Sequence, residues 1–156
     1  MELRTSRATI QDLPILLQFE QAIMEYERPF DPTLKPKDAS YYDLSELIQS
    51  KKAEVLIVES EGKIIASGYA SIEKADNYLQ HKQYAHLGFM YVDPDFRGRG
   101  INKLILDGLI AWAKGEGINE FRLEVYAGNA GAIKAYEKVG FQQHLIEMRF
   151  GEKNAK

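Results

Sequence analysis

The chain has 156 residues, 45% of them hydrophobic and 28% charged, with a formal net charge of -3. That length sustains one domain with a proper core, and the composition is that of an ordinary globular protein. The slight acidity argues against a dedicated nucleic-acid binder, and the absence of cysteine excludes disulfides, thiolate metal sites and a cysteine nucleophile.

Leu3 to Ala8 reads as a first strand. Thr9 or Asp12 suits the cap of a helix whose apolar positions Leu13, Leu16, Leu17, Ile23 and Tyr26 fall near helical spacing. Pro29, Pro32 and Pro36 then impose a loop over 28–39. A short helix follows from about Ser40 to Lys51, with Leu44, Leu47 and Ile48 on one face. Val55–Glu59 and Lys63–Glu73 read as strands joined by a tight Glu61-Gly62 turn. After a polar linker, Tyr84 to Val92 is apolar enough for a central strand. Ile101, Leu104, Ile105, Gly108, Leu109 and Trp112 form the clearest helical stripe, read as core, and Gly115 and Gly117 end it. Phe121–Tyr126 reads as a strand, Ala130–Val139 as a helix and Phe141–Phe150 as a final strand.

The order β-α-α-β-β-β-α-β-α-β implies a mixed sheet flanked by helices, an α/β chain with one domain over 1–156. No run reaches the length of a membrane span, and the opening Met-Glu-Leu-Arg-Thr-Ser-Arg has no apolar signal region, so a cytoplasmic location is expected.

The most informative stretch is Val92–Asn102, Val-Asp-Pro-Asp-Phe-Arg-Gly-Arg-Gly-Ile-Asn, at the joint between a strand and a helix. Gly98 and Gly100 let the backbone approach a ligand, and the helix start offers unpaired N–H groups and a partial positive charge. Arg97 and Arg99 add cationic charge in the same turn, so the expected ligand carries a pyrophosphate. There is no P-loop pattern, and with Lys103 in place of a third glycine there is no dinucleotide fingerprint. RNA binding through Arg97, Arg99 and Lys103 is disfavoured by the acidic total and by the lack of a basic–aromatic platform.

The joint resembles the acetyl-CoA loop of the GCN5-related N-acetyltransferase (GNAT) family, Arg/Gln-x-x-Gly-x-Gly/Ala: Arg97 and Gly100 match it, and Asn102 departs from its last position. A second block, Leu123 to Phe141, resembles that family's other signature, a strand, an Asn, and a helix bearing Ala-Ile-x-x-Tyr-Glu-Lys that closes on Gly-Phe. The strong resemblance covers roughly Tyr84 to Phe150. It implies the acetyltransferase fold, acetyl-CoA as cosubstrate, no metal, and transfer of acetyl to a primary amine of a small molecule, amino acid or peptide terminus. It also implies that the strands before the glycine loop and before the Asn splay apart to admit the pantetheine arm.

Within that resemblance each site residue receives a role. Met90, Tyr91 and Val92 would pair with the pantetheine through their backbone and supply an oxyanion donor. Arg97, Gly98, Arg99, Gly100, Ile101 and Asn102 would hold the pyrophosphate. Asn129 would contact the pantetheine arm or a water, and it is also placed to cap the helix that follows. Tyr136 would protonate the departing thiolate. For the base, strand alternation puts Glu124 on the face opposite Leu123 and Val125, and its setting resembles the ribosomal-protein N-terminal acetyltransferases; His86 is the alternative. Tyr26, Glu27, Asp31, Tyr41, Tyr42 and His86 are candidates for an acceptor site that takes a cationic amine. A homodimer is a common state in the family. The competing reading is a non-catalytic sensor of acetyl-CoA, which would need no acid at Tyr136.

Overall fold

A computed structural model describes residues 2–152. Five strands form one sheet in the order β1 (Leu3–Arg7), β2 (Ala53–Ser60), β3 (Lys63–Lys74), β4 (Gln83–Val92) and β5 (Phe121–Arg122). The first four pair antiparallel, and β4 and β5 run parallel. Helix α1 (Leu13–Glu27) and the short α2 (Leu44–Gln49) precede β2, α3 (Ile101–Gly115) crosses from β4 to β5, and α4 (Ala130–Val139) follows β5. Glu61 and Gly62 have φ of 52° and 79°, the paired left-handed angles of the tight turn expected between β2 and β3.

The sheet has a core on each face. One is built on α3, with Ile101, Ile105, Leu106, Leu109 and Ala113 against Leu56, Val58, Ile65, Ala66 and Leu87. The other sets Leu16, Phe19, Leu44 and Ile48 against Val55, Ile57, Tyr69 and Phe89. Because β3 and β4 are covered on both faces, their sequences are apolar runs more than alternations. Helix α3 lies close on the sheet at Gly68: a Cβ there would sit 2.5 Å from Ile105 Cγ2 and 2.7 Å from Met90 Sδ.

The helical stripes are rotated from the sequence expectation. In α3, Leu104 is 42% exposed and Leu106 takes its place inside. In α1, Leu17 and Tyr26 are exposed, and Phe19, Glu20 and Met24 are buried. A buried carboxylate explains the second rotation. Glu20 Oε2 accepts from the backbone N–H of Tyr41 at 2.7 Å and of Tyr42 at 2.8 Å, which ties the proline-rich connection to α1. The α1 entry is held by a reciprocal cap in which Thr9 N donates to Asp12 Oδ2 at 2.8 Å.

Two expected strands are curtailed. The β5 ladder covers only Phe121 and Arg122, short of Tyr126, and the segment 141–150 forms no strand. Leu145, Ile146, Met148 and Phe150 in that segment are 84–91% exposed.

Glu20→Ala should lower the unfolding free energy by about 2 kcal/mol, since it strands two buried N–H donors. Glu20→Gln keeps an acceptor oxygen and should cost less. Urea denaturation, with amide exchange at Tyr41 and Tyr42 as the local readout, checks both; equal losses would show that packing, not the carboxylate acceptor, holds the loop.

Candidate active site

The site begins where the sheet opens. Strands β4 and β5 pair through Ala85–Phe121 and His86–Arg122 and no further, so Leu87–Val92 and Leu123–Tyr126 diverge. The divergence expected before the glycine loop and before Asn129 is present. On the β3 side the β4 register shifts between Ser67 and Tyr69, and Phe89 takes a left-handed φ of 58°. That conformation is rare for a bulky residue and is held by two hydrogen bonds: Ser67 Oγ donates to the Phe89 carbonyl at 3.1 Å, and Phe89 N donates to the Tyr42 hydroxyl at 3.2 Å. The bulge re-aims the backbone that follows, Met90 to Val92. The Met90 side chain goes to the α3 core and Tyr91 stacks on Phe19 at 4.3 Å, which leaves their main chain as the part available to a ligand.

The joint between β4 and α3 is built on two left-handed glycines at a helix start. Gly98 and Gly100 have φ of 78° and 76°, angles that cost an L-residue strain although space for a Cβ is open at both. Gly100 is the N-cap of α3, so the first N–H groups of Ile101 and Asn102 have no partner within the helix, at its positive end. The Arg97 guanidinium donates from Nε to the Val92 carbonyl at 3.1 Å and lies 6.0 Å from the Tyr26 ring. Arg99 lies over the Phe96 ring at 5.3 Å. Ile101 is buried in the core, so only its backbone faces the joint, and Asn102 is half-buried in the first helical turn.

Glu124 and His86, rivals in the sequence, are joined. His86 Nε2 meets Glu124 Oε1 at 3.1 Å, and His86 Nδ1 meets the Tyr69 hydroxyl at 3.0 Å. Burial pushes the Tyr69 phenol up to about 12, with Glu73 and Glu124 adding to the shift, so it keeps its proton and donates to Nδ1. The network thereby assigns the imidazole N–H to Nε2, directed at the Glu124 carboxylate. Glu124 itself projects into solvent at the mouth of the opening.

Asn129 is buried and its Oδ1 accepts from Ala132 N at 3.3 Å, capping α4. Tyr136 is half-buried on α4, edge-on to the Phe141 ring at 6.1 Å. Desolvation, then the charge of Glu27, raises its phenol to about 12, so it is a neutral proton donor at any physiological pH. Among the described residues its hydroxyl makes no hydrogen bond.

The acceptor candidates divide. Glu27, Asp31 and Tyr41 come together with Tyr126, which the sequence left out of this group. Tyr126 donates to Asp31 Oδ2 at 2.8 Å, and its ring stacks on Phe30. Desolvation holds Glu27 above the ordinary carboxylate range, and Asp31 is held below it, first by the Thr33 hydroxyl and amide and then by Tyr126. The Tyr41 hydroxyl is buried without a well-formed hydrogen bond among the described residues, yet lies close enough to Glu27 and Tyr126 to shift their protonation. Tyr42 turns inward to support Phe89, and its ring meets those of Tyr69 and Phe89. Tyr26 stays outside under Arg97, and His86 belongs to the Glu124 relay. Among the described residues no group of His, Asp and Glu is placed to hold a metal, and no helix is long and apolar enough to cross a membrane.

Comparison with known proteins agrees with this geometry. The model of the acetyltransferase (GNAT) family matches residues 19–141. Over 68 residues, 44% of the chain, it is 37% identical to an uncharacterised N-acetyltransferase of Methanocaldococcus jannaschii, and that stretch is 30% of the relative. Over 59 residues, 38% of the chain, it is 41% identical to a ribosomal-protein-alanine N-acetyltransferase of Salmonella typhimurium, 40% of whose length is matched. The chain thus spans less than half the length of these curated relatives. A mutant protein of Bacillus halodurans superimposes with a TM-score of 0.85 at 22% identity, over 97% of this chain and 99% of that one. The acetyl-CoA complex of a predicted acetyltransferase from Clostridium acetobutylicum does so at 0.72 and 19%, over 96% of both. With a family model matched from the middle of α1 to two residues past α4, and a fold shared end to end, the chain belongs to the GNAT family of acetyltransferases.

Proposed function

We propose that the protein transfers an acetyl group from acetyl-CoA to a primary amine by direct attack, both substrates being bound at once. The observation that carries this reading is the end of β4–β5 pairing at Arg122, with a left-handed Gly-Arg-Gly helix cap after β4, the Glu124–His86 contact just past the pairing and Tyr136 on the helix that follows β5. The cap residues Gly98 to Asn102, with Arg97 and Arg99 beside them, suit a pyrophosphate. The unpaired edge of β4 from Met90 to Val92 suits an amide-bearing arm laid as an added strand, and one of its N–H groups would stabilise charge on the acyl oxygen. Asn129 fixes the start of α4 and so the position of Tyr136.

An alkylammonium with a pKa of about 10 must lose a proton before it attacks. Glu124 takes that proton, directly or through water, and His86 holds its carboxylate in place. The C–N bond forms as the C–S bond breaks, Tyr136 gives its proton to the sulfur, and the phenol recovers one from solvent. Glu27 and Asp31 present negative charge beside Tyr41 and Tyr126, an arrangement that suits a cationic amine, whether of a small molecule or of a protein terminus. The Salmonella relative's name, a ribosomal-protein-alanine acetyltransferase, favours testing peptides with a free N-terminal alanine among the first acceptors.

Acetyl-CoA at about one hundred times its Kd should raise the melting temperature by roughly 5–10 °C, the effect of about 2.7 kcal/mol of linkage on a domain of this size. Thiol release with a panel of amines and short peptides then tests transfer, and a melting shift without release on any acceptor would favour the sensor reading.

Tyr136→Phe should cut kcat by about a hundredfold or more and leave acetyl-CoA affinity within roughly twofold. In the parent, a phenol raised to about 12 stays protonated as pH climbs, so the rate should rise with amine deprotonation and show no fall from this group below about pH 10. A basic limb near neutrality that disappears in the Phe variant would refute the assignment of Tyr136.

Glu124→Gln should also lose about a hundredfold in kcat, and His86→Asn only about tenfold, because it loosens the carboxylate and leaves it present. Equal, small losses from both in steady-state assays would leave water as the proton acceptor.

A further inference from the structure

Tyr69 is 6% exposed and belongs to the apolar cluster that holds Val55, Ile57 and Phe89. A phenylalanine would fill that place as well, and a phenol buried there is costly unless its hydroxyl is paired. Among the described residues the hydroxyl has one hydrogen-bond partner, His86 Nδ1 at 3.0 Å. The backbone is shaped to bring the two together. Tyr69 faces Gly88 across the β3–β4 ladder, and its ring lies over that glycine: a Cβ there would be 2.9 Å from Cε2 and 3.0 Å from the hydroxyl oxygen. A side chain at 88 would push the ring off this path. His86 precedes Gly88 by two positions on the same face of β4, and its ladder partner Arg122 precedes Glu124 by two. The gap at Gly88 thus lets a core side chain reach the imidazole at the margin of the opening.

The direction of the protons follows from the partners. A phenol with one acceptor in reach donates to it, so Nδ1 carries the lone pair and Nε2 the N–H. Nε2 meets Glu124 Oε1 at 3.1 Å, the carboxylate's one hydrogen bond among the described residues, on a side chain that is otherwise in water. The other tautomer would turn a lone pair toward the carboxylate and leave Glu124 free to sample its rotamers. The neighbours of His86 are engaged elsewhere: Ser71, its ladder partner on β3, donates to Glu73 at 2.7 Å, and Arg122 donates to Glu120 at 3.1 Å.

We propose that Tyr69 is a positioning residue for acyl transfer: by donating to Nδ1 it keeps the His86 N–H on Nε2, where it anchors the Glu124 carboxylate. The role rests on the reading of Glu124 as the group that takes the amine's proton. Tyr69 itself touches neither substrate and moves no proton. It acts from the core, through one hydrogen bond, on which nitrogen of the imidazole is the donor. Gly88 belongs to the same device, since it is the space that the phenol occupies.

Imidazole nitrogen NMR on the full chain, with His86 assigned by its loss in His86→Asn, should show the neutral ring protonated at Nε2. Tyr69→Phe keeps the ring and its packing, and should give a mixture of the two tautomers. In steady-state assays it should lower kcat about fivefold and leave KM for acetyl-CoA within about twofold. Because Tyr69 acts only through the imidazole, Tyr69→Phe combined with His86→Asn should be no more than about twofold slower than His86→Asn alone. A parent ring protonated at Nδ1 overturns the proposal and leaves the base reading standing. So does a Tyr69→Phe spectrum identical to the parent's, or losses in kcat that multiply in the double variant. Full rate in Glu124→Gln is a different failure: it removes the base reading, and the positioning role falls with it while the Nε2 tautomer stays.

Discussion

The structure turns on the bulge at Phe89. A phenylalanine held at a left-handed φ forces β4 to change its hydrogen-bond phase with β3, three residues beyond the end of its pairing with β5. The strain is of order 1–3 kcal/mol and persists because Ser67 and Tyr42 hold the two polar ends of the same residue. Tyr42 is held in turn by the carboxylate of Glu20, buried in α1. A chain of polar contacts thus runs from the first helix to the centre of the sheet, beside the opening between the parallel strands. Open crevices of this kind are where α/β sheets bind ligands.

The two halves of the site are positioned by different means. The proposed pyrophosphate side depends on local backbone geometry, two glycines in left-handed conformation and the helix that starts after them. The proposed proton-transfer side depends on cross-strand register. Ladder pairing of His86 with Arg122 brings the imidazole within reach of Glu124, two residues past the end of β5, and Tyr69 on β3 reaches the other nitrogen. A network spanning two strands and the segment after β5 needs each register to be right.

This division explains what could be read from the residues. The glycine joint, the cap at Asn129 and the place of Tyr136 on α4 depend on short-range rules and were legible as such. The helix faces were legible only in part. Leu17 and Leu104 have the spacing of core residues, but Glu20 turns α1 and Leu106 displaces Leu104, and pattern counting does not anticipate a buried carboxylate. Glu124 and His86 looked like alternatives because their contact depends on a parallel register that no local pattern encodes. Phe89 gave no signal beyond its neighbour Gly88. Tyr126 escaped notice because its partner Asp31 lies in a loop 95 residues earlier. The strand pattern of 141–150 is real, and a strand without a neighbour has nowhere to place its hydrogen bonds.

Glu20 grips the main chain of Tyr41 and Tyr42, not their side chains. The loop that carries Tyr41 toward the proposed acceptor group is therefore anchored in a manner indifferent to which side chain it bears. Among relatives that keep the acid, replacements at position 41 would alter the shape and polarity offered to an incoming amine while the loop path stayed the same. The buried carboxylate separates the evolution of selectivity from the maintenance of the fold.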